Sequence, residues 1–408
     1  MTLQKYRPKF AWFSLAMNRN SAPSPLVGEG WGGGDGSERA DVGAIRIATV
    51  GFPPTPSPFP QGGGEMRRVG SIRVEKFLLG ASKIFLATGA LLFSGIAAAN
   101  AQTAPAKISI LIFGPPSLGA FLPPIIKSQK LDEKNGLDIA FVERTPDAYT
   151  TAFNSGEFEV GGSAAVQTVG LADVRGVKVT YLFNLFDYWG AVVTSRPEIK
   201  SLKDLEGKDL VAARGTTNYV MFDWFARQQG LDTSKLQVVN TATPGLIGYA
   251  IADRASAVQL WEPAYTLLMS KKKDVRTLEF KFADTWRAFS GSTAIPYLGL
   301  AAHQKWVDAN KSLLPRLYAA YAEAADWVKA NPDAAAKLIS PQATAEDQAA
   351  IAGLIRANDR LGLNVAPASA LIKEIQAVYR AGMQIGFLPK EPDRASVYAE
   401  PFAPSGGK

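Results

Sequence analysis

The chain has 408 residues and 47% hydrophobic content, the make-up of a globular protein with room for two or three domains. Its formal charge of +7 is concentrated at one end: residues 1–101 hold 11 basic and 6 acidic side chains, and the rest hold 33 and 31. The near-neutral body lacks the basic footprint of phosphate-backbone binding, which argues against nucleic acid as a partner. With no cysteine and a single histidine, His303, the chain builds no disulfide, thiolate nucleophile, iron–sulfur cluster or Cys-based zinc site, and no Ser-His-Asp triad unless His303 is its base. His303, followed by Gln-Lys-Trp with no second histidine, reads as a surface or packing residue.

Residues 1–65 contain 11 Gly and 8 Pro but only 12 Leu, Ile, Val and Phe, too little apolar surface to offset the entropy of ordering the segment. Disorder is expected there. The stretch also repeats loosely, with Pro23-Ser24-Pro25 and Pro56-Ser57-Pro58 each leading to three glycines, as translated upstream sequence would. Met66 opens a different pattern: Arg67, Arg68, Arg73, Lys76 and Lys83 precede the apolar run from Ile84 to Ala98, and Ala99-Asn100-Ala101 closes it. Residues 66–101 therefore read as a secretory signal peptide cleaved after Ala101, with an uncleaved anchor as the alternative. No cysteine follows the run, so a lipid anchor of the usual bacterial kind is excluded and a free periplasmic protein is expected. Zero cysteines suit that oxidising compartment.

From Lys107 the chain alternates between strand-like and helix-like segments. Ile108–Phe113 reads as a strand closed by Gly114-Pro115-Pro116, with a helix over Phe121–Lys130; Leu137–Val142 and Asp147–Ser155 form the next such unit. Phe158–Gly161 is a third strand, running into Ser163-Ala164-Ala165 and a helix to Asp173, and Val177–Phe183 is a fourth. The pattern then repeats, with strands at Leu210–Ala213, Leu236–Val239 and Ala255–Leu260 and helices at Tyr219–Gln229 and Gly245–Asp253. After a strand at Tyr297–Leu300 the rest is helical: Ser312–Ala330, Pro332–Ile339, Thr344–Leu361 and Pro367–Ile385. Leu317, Tyr321, Ala324, Trp327 and Val328 share one helix face, and Leu371, Ile375, Val378, Met383 and Ile385 another, so both stripes read as core. Short connections between alternating β and α segments predict two α/β lobes, each a sheet covered on both faces.

Four stretches carry a family resemblance: Leu131 to Leu137 (LDEKNGL), Ala152 to Gly161 (AFNSGEFEVG), Ile199 to Lys208 (IKSLKDLEGK) and Trp261-Glu262-Pro263. In this order, after a signal peptide, they resemble the periplasmic substrate-binding proteins of ABC importers, in the nitrate, sulfonate and taurine branch that also includes thiamine-pyrimidine binders. The chain departs from that pattern in having Glu159 for the usual Asp, and Asp253-Arg254-Ala255-Ser256-Ala257 for a Gly-x-Val-Asp-Ala turn. The resemblance implies a type II periplasmic binding protein. Lobe 1 would comprise residues 102–190 and 295–408 and lobe 2 residues 191–294, joined by a hinge with a ligand cleft between them. It also implies hinge closure on a solute and delivery to an inner-membrane permease with its cytoplasmic ATPase.

In open α/β sheets, ligands lie beyond the carboxyl ends of the strands, at helix N-termini. Three loops fit: Ser117 with the glycine-proline turn before it, Gly162-Ser163-Ala164, and Arg214-Gly215-Thr216-Thr217-Asn218. Ser163 and Thr217 have a second role open to them, as N-caps, and Arg214 as a solvated charge; Lys271-Lys272-Lys273 reads as a solvated turn. Tyr188 and Trp189, where the chain leaves lobe 1, and Trp261 with Glu262, at the end of a lobe 2 strand, could close on a flat ligand portion or pack the hinge. The candidate ligand set is thus Ser117, Gly162, Ser163, Ala164, Tyr188, Trp189, Arg214, Thr216, Thr217, Asn218, Trp261 and Glu262, with no catalytic or metal-binding residue and no cofactor. The expected function is capture of a small polar or anionic organic solute (a sulfonate, nitrate, a taurine-like compound or an aromatic carboxylate) by a monomer. The alternative is a binder of a thiamine-pyrimidine or flavin-type precursor. A pyrimidine-forming enzyme on the same fold needs a cysteine-rich motif that this chain lacks.

Overall fold

The computed structural model describes residues 104–402; the stretches read above as a leader and as a signal peptide with its cleavage site lie outside the described residues. Residues 106–187 form β1 (Ala106–Phe113), α1 (Pro123–Ser128), α2 (Leu131–Lys134), β2 (Leu137–Arg144), α3 (Pro146–Asn154), β3 (Val160–Ala165), α4 (Val166–Val174) and β4 (Val179–Asp187). Residues 191–290 form β5 (Ala191–Thr194), β6 (Asp209–Ala212), α5 (Thr217–Gln228), β7 (Gln237–Asn240), α6 (Thr243–Ile251), β8 (Ala257–Leu260), α7 (Ala264–Lys271), β9 (Arg276–Thr277) and α8 (Phe282–Ser290). The chain then returns through β10 (Pro296–His303), α9 (Gln304–Ala309), α10 (Leu314–Ala330), α11 (Pro332–Ile339), α12 (Ala345–Ala357), β11 (Leu363–Pro367) and α13 (Ile372–Gln384).

Two sheets result. The first runs β11-β4-β10-β3-β1-β2 and the second β7-β6-β8-β5-β9. β1 is parallel to β2 and β3, and β6 to β7 and β8, as helical crossovers require. β10 lies antiparallel between β3 and β4, so the returning chain completes the sheet it left at Asp187. These are the two α/β lobes expected from the alternating pattern.

Several boundaries differ from the sequence reading, and a distant strand decides two of them. Ser163-Ala164-Ala165 belongs to β3, since Ala164 and Ala165 pair with Gly299 and Leu298 of β10. β11 is an extra edge strand whose Leu363 pairs with Phe186 across an irregular register, so the last helix begins at Ile372 rather than Pro367. The first helix begins at Pro123, where the fixed φ of proline suits the N-terminal turn. The two expected helix stripes do face the core, with Leu317, Tyr321, Ala324, Val328, Ile375 and Val378 at 1% exposure or less.

The main core does not stop at the lobe boundary. Met221, Trp224 and Phe225 of α5 and Trp286 of α8 pack with the first sheet's hydrophobic cluster, and the Trp224 indole N–H donates to Gln384 Oε1 of α13 at 2.7 Å. Burying an aromatic side chain of this size stabilises by about 1.5–3 kcal/mol, so these rings tie the lobes together at the back. The second sheet has one smaller cluster on each face, around Val211, Leu246 and Leu260 and around Leu210, Phe222 and Leu278.

Candidate functional site

A cavity of about 390 Å³ opens between the two sheets at the carboxyl ends of their parallel strands. Its wall runs from Phe113 at the end of β1 through Gly114-Pro115-Pro116-Ser117-Leu118 to Glu143 and Arg144 at the end of β2, Thr145 after it, and Ala165 at the end of β3. From the second lobe come Gly215-Thr216-Thr217, Ala242 and Trp261, and Tyr297-Leu298 of β10 complete it. Most of this surface is apolar, with polar groups set among prolines and aromatic rings.

The N-cap residues of α3, α4, α5 and α6 are Thr145, Ala165, Thr216 and Ala242. All four line the cavity. Each helix start leaves backbone N–H groups without intrahelical partners and carries the positive end of the peptide dipoles. Ala165 and Ala242 have no side chain to cap these donors, and the first turns of α4, α5 and α6 contain no acidic residue; α3 has Asp147. At α5 the Thr216 hydroxyl accepts from Tyr219 N and donates to Ala213 O, as an N-cap does. The neighbouring Thr217 hydroxyl is buried and has no hydrogen-bond partner among the described residues. A group that can meet amide donors and one hydroxyl is an oxyanion.

Of the expected ligand residues, the structure brings Ser117, Thr216, Thr217 and Trp261 to this wall. The others serve packing and geometry. Gly162 faces the core: an added Cβ would lie 2.9 Å from Ile110 Cγ2 and 3.1 Å from Ile112 Cγ2. Ser163 is buried, with its Oγ accepting from Phe113 N at 2.9 Å, so it braces β3 against the end of β1 and caps no helix. Ala164 is buried in the β3–β10 pairing. Asn218 is buried below the cavity and donates from Nδ2 to the Tyr297 hydroxyl at 2.5 Å. Tyr188 stacks on Phe225 with ring centroids 5.7 Å apart, and Trp189 packs edge-on against Tyr265 at 4.9 Å. Arg214 is exposed, 6.0 Å over the Tyr219 ring. His303 packs on Phe153 and bonds its carbonyl oxygen.

Glu262 is an anchor rather than a wall residue. Its carboxylate accepts from Thr266 N, from the Thr266 hydroxyl and from Arg360 Nε at 2.9 Å. Burial pushes the Glu262 carboxyl upward, and these donors oppose that shift. Arg360 precedes β11, so this pair links the lobes, and its guanidinium lies over the rings of Trp189 and Tyr265. Lys271 to Asp347 at 2.9 Å is a second link. Lys272 is 13% exposed between Asp253 and Asp274, so two of the three lysines read as a solvated turn hold ion pairs instead.

Sequence reasoning missed Thr145, Ala165, Ala242 and Tyr297 on the wall. Thr145-Pro146 and Thr243-Pro244 were usable signals, since proline at a first helical turn marks a helix start. Tyr297 also reaches the hinge. Its backbone N–H donates to Asn184 Oδ1, Asn184 Nδ2 donates to Asp187, and Asn364 Nδ2 donates to the other Asp187 oxygen. Burial outweighs these donors and raises the Asp187 carboxyl to about 6.

Residues 133–335 match the family model described as NMT1/THI5 like. The fold is similar to the periplasmic aliphatic sulphonate binding protein SsuA from Escherichia coli, with a TM-score of 0.57 and 18% identity over 75% of this chain and 94% of that one. It is also similar to the alkanesulfonate-binding protein SsuA from Xanthomonas axonopodis pv. citri bound to MOPS, with a TM-score of 0.59 and 15% identity over 72% and 98% of the two chains. No curated protein matches the chain significantly. At these identities the solved structures establish the periplasmic-binding-protein fold.

Proposed function

Since the chain belongs, through residues 133–335, to the NMT1/THI5-like family, we propose that it is the solute-binding component of an ABC import system and captures a small organic anion in the interlobe cavity. One observation carries this reading: four helix N-termini, three of them without an acidic first-turn residue, converge on one cavity. Such donors hold negative charge without spending a buried lysine on it. The apolar remainder, with Phe113, Pro115, Pro116, Trp261 and Leu298, suits a hydrocarbon or aromatic portion attached to the anionic group. A cavity of about 390 Å³ has room for such a molecule. The export expected from residues 66–101 and the fold's likeness to two sulfonate-binding proteins support a periplasmic capture role with a permease partner. Binding would draw the lobes together about the strands that cross at Asp187 and Pro296.

A thermal-shift series with ethanesulfonate, benzoate, nitrate, a pyrimidine and riboflavin tests the reading. A ligand at a hundred times its dissociation constant stabilises by about 2.7 kcal/mol, so an organic anion should raise Tm by roughly 5 °C or more. Stabilisation by the neutral heteroaromatics with no response to any anion would replace this reading by the precursor-binding one, which the Trp261 and Tyr297 rings on the wall would serve.

A further inference from the structure

Three of the side-chain links between the lobes stand clear of the cavity wall: Trp224 to Gln384, Glu262 to Arg360 and Lys271 to Asp347. A fourth ends on the wall itself. Asn218 Nδ2 donates to the hydroxyl of Tyr297, and Tyr297 lines the cavity.

Each partner in this fourth link is tied to a working part of the site. Asn218 is the second residue of α5 and follows Thr217, whose unpartnered hydroxyl belongs to a residue of the wall. Met221, Trp224 and Phe225 hold the later turns of α5 in the main core, so the Asn218 bond acts on the first turn, where the backbone donors are. Tyr297 is fixed from the other side. Its N–H donates to Asn184 Oδ1, Asn184 Nδ2 reaches Asp187 where the chain leaves lobe 1, and its ring stands edge-on to Tyr188 with centroids 5.9 Å apart.

Packing alone does not account for Asn218. It is fully buried and its Oδ1 has no hydrogen-bond partner among the described residues. A buried amide with one end unpaired is a costly way to fill a core, and a leucine of similar size would fill the place without that cost. What an amide supplies and a leucine does not is a directional bond across the lobe boundary.

Resting on the anion-binding reading above, we propose that Asn218 and Tyr297 are positioning residues whose hydrogen bond holds the start of α5 in lobe 2 against β10 of lobe 1. The bond sets the spacing between the two walls before the solute arrives. Neither residue has to touch the solute. Without the bond, ordering the first turn of α5 falls to the ligand, and affinity drops by that cost.

Isothermal titration of the purified full chain with ethanesulfonate and with benzoate, alongside Tm without ligand, tests this. Tyr297→Phe and Asn218→Leu each leave one polar group unpaired, so each should lower Tm and weaken whichever anion binds by about tenfold, the worth of one hydrogen bond. The double variant Asn218→Leu/Tyr297→Phe removes both polar ends, so its Tm should return to within about 2 °C of the native value. Its affinity should stay about tenfold low. Lys271→Met, which breaks a link clear of the wall, should lower Tm and leave affinity within twofold. A double variant that regains native affinity, single variants that bind as the native chain does, or an equal affinity loss in Lys271→Met would overturn the positioning role and leave the anion reading standing. A native chain that binds neither compound would overturn the anion reading, and this inference with it.

Discussion

The β3–α4 junction of lobe 1 and the β6–α5 junction of lobe 2 are both runs of small residues leading into a helix. Gly162-Ser163-Ala164 is buried in β3, and Ser163 bonds Phe113 N. Gly215-Thr216-Thr217 stands on the cavity wall, an added Cβ at Gly215 would meet nothing within 4 Å, and the Thr217 hydroxyl is unpartnered. Small side chains thus serve opposite ends. In lobe 1 they let β-strands and aromatic rings close up behind the site, and in lobe 2 they leave the helix start open to a ligand. The Ser163 hydroxyl is satisfied within the protein and the Thr217 hydroxyl is not.

The largest effect expected from this contrast is on stability. Gly162→Val places methyl groups where Ile110, Ile112 and the Tyr321 hydroxyl already sit, so it should cost about 3 kcal/mol through overpacking. Urea denaturation monitored by tryptophan fluorescence reads this as a lower midpoint. An unchanged midpoint would mean that the lobe 1 junction is as open as that of lobe 2.

Asp187 extends the contrast to charge, since both its oxygens are already taken by Asn184 and Asn364. Burial raises its carboxyl from the usual 3.8 to about 6. The folded state therefore holds a proton more firmly than the unfolded chain. That contribution is complete below about pH 4 and is lost as pH rises through 6. The loss amounts to at most about 3 kcal/mol, since each pKa unit is worth about 1.4 kcal/mol. Stability measured from pH 4 to 7 should fall for this group in the native chain, and Asp187→Asn should flatten that part of the profile. A profile identical in both proteins would remove Asp187 from the titrating groups.

How much of this was legible follows from the range over which each feature is decided. Strand-helix alternation and the late helix stripes depend on neighbours a few residues away, and the two-sheet architecture could be read from them. Ser163 could not be placed, because its strand assignment depends on β10, more than 130 residues later in the chain, which pairs beside it. The Trp261-Glu262 pair split for the same reason: adjacent residues on one chain segment, they separate into a wall residue and an anchor because Arg360 reaches Glu262 from lobe 1. The Ala165 and Ala242 helix starts were hidden differently. Alanine carries no chemistry to notice, and what these positions offer is backbone N–H.

A smaller effect, confined to binding, is expected at Thr217. Thr217→Val keeps the shape of the side chain and removes a hydroxyl that bonds nothing in the protein, so the ligand-free Tm should stay within about 2 °C. Affinity for whichever anion stabilises the native protein should fall about tenfold, the worth of one hydrogen bond to a charged group. A drop in ligand-free stability with unchanged affinity would reverse the assignment and give Thr217 the bracing role of Ser163.

Gly215→Ala is the mildest test and the most direct on geometry. The added methyl enters open space, and alanine narrows the unfolded ensemble, so stability should rise by about 0.5 kcal/mol. Titration with the same anion then asks how near the ligand comes to the backbone. An affinity within threefold of the native value places the ligand on Thr217 and the amides after it, whereas a larger loss places it against the Gly215 Cα. A destabilisation above about 1 kcal/mol would instead show that the lobe 2 junction is packed after all, because only steric crowding would cancel the entropic gain.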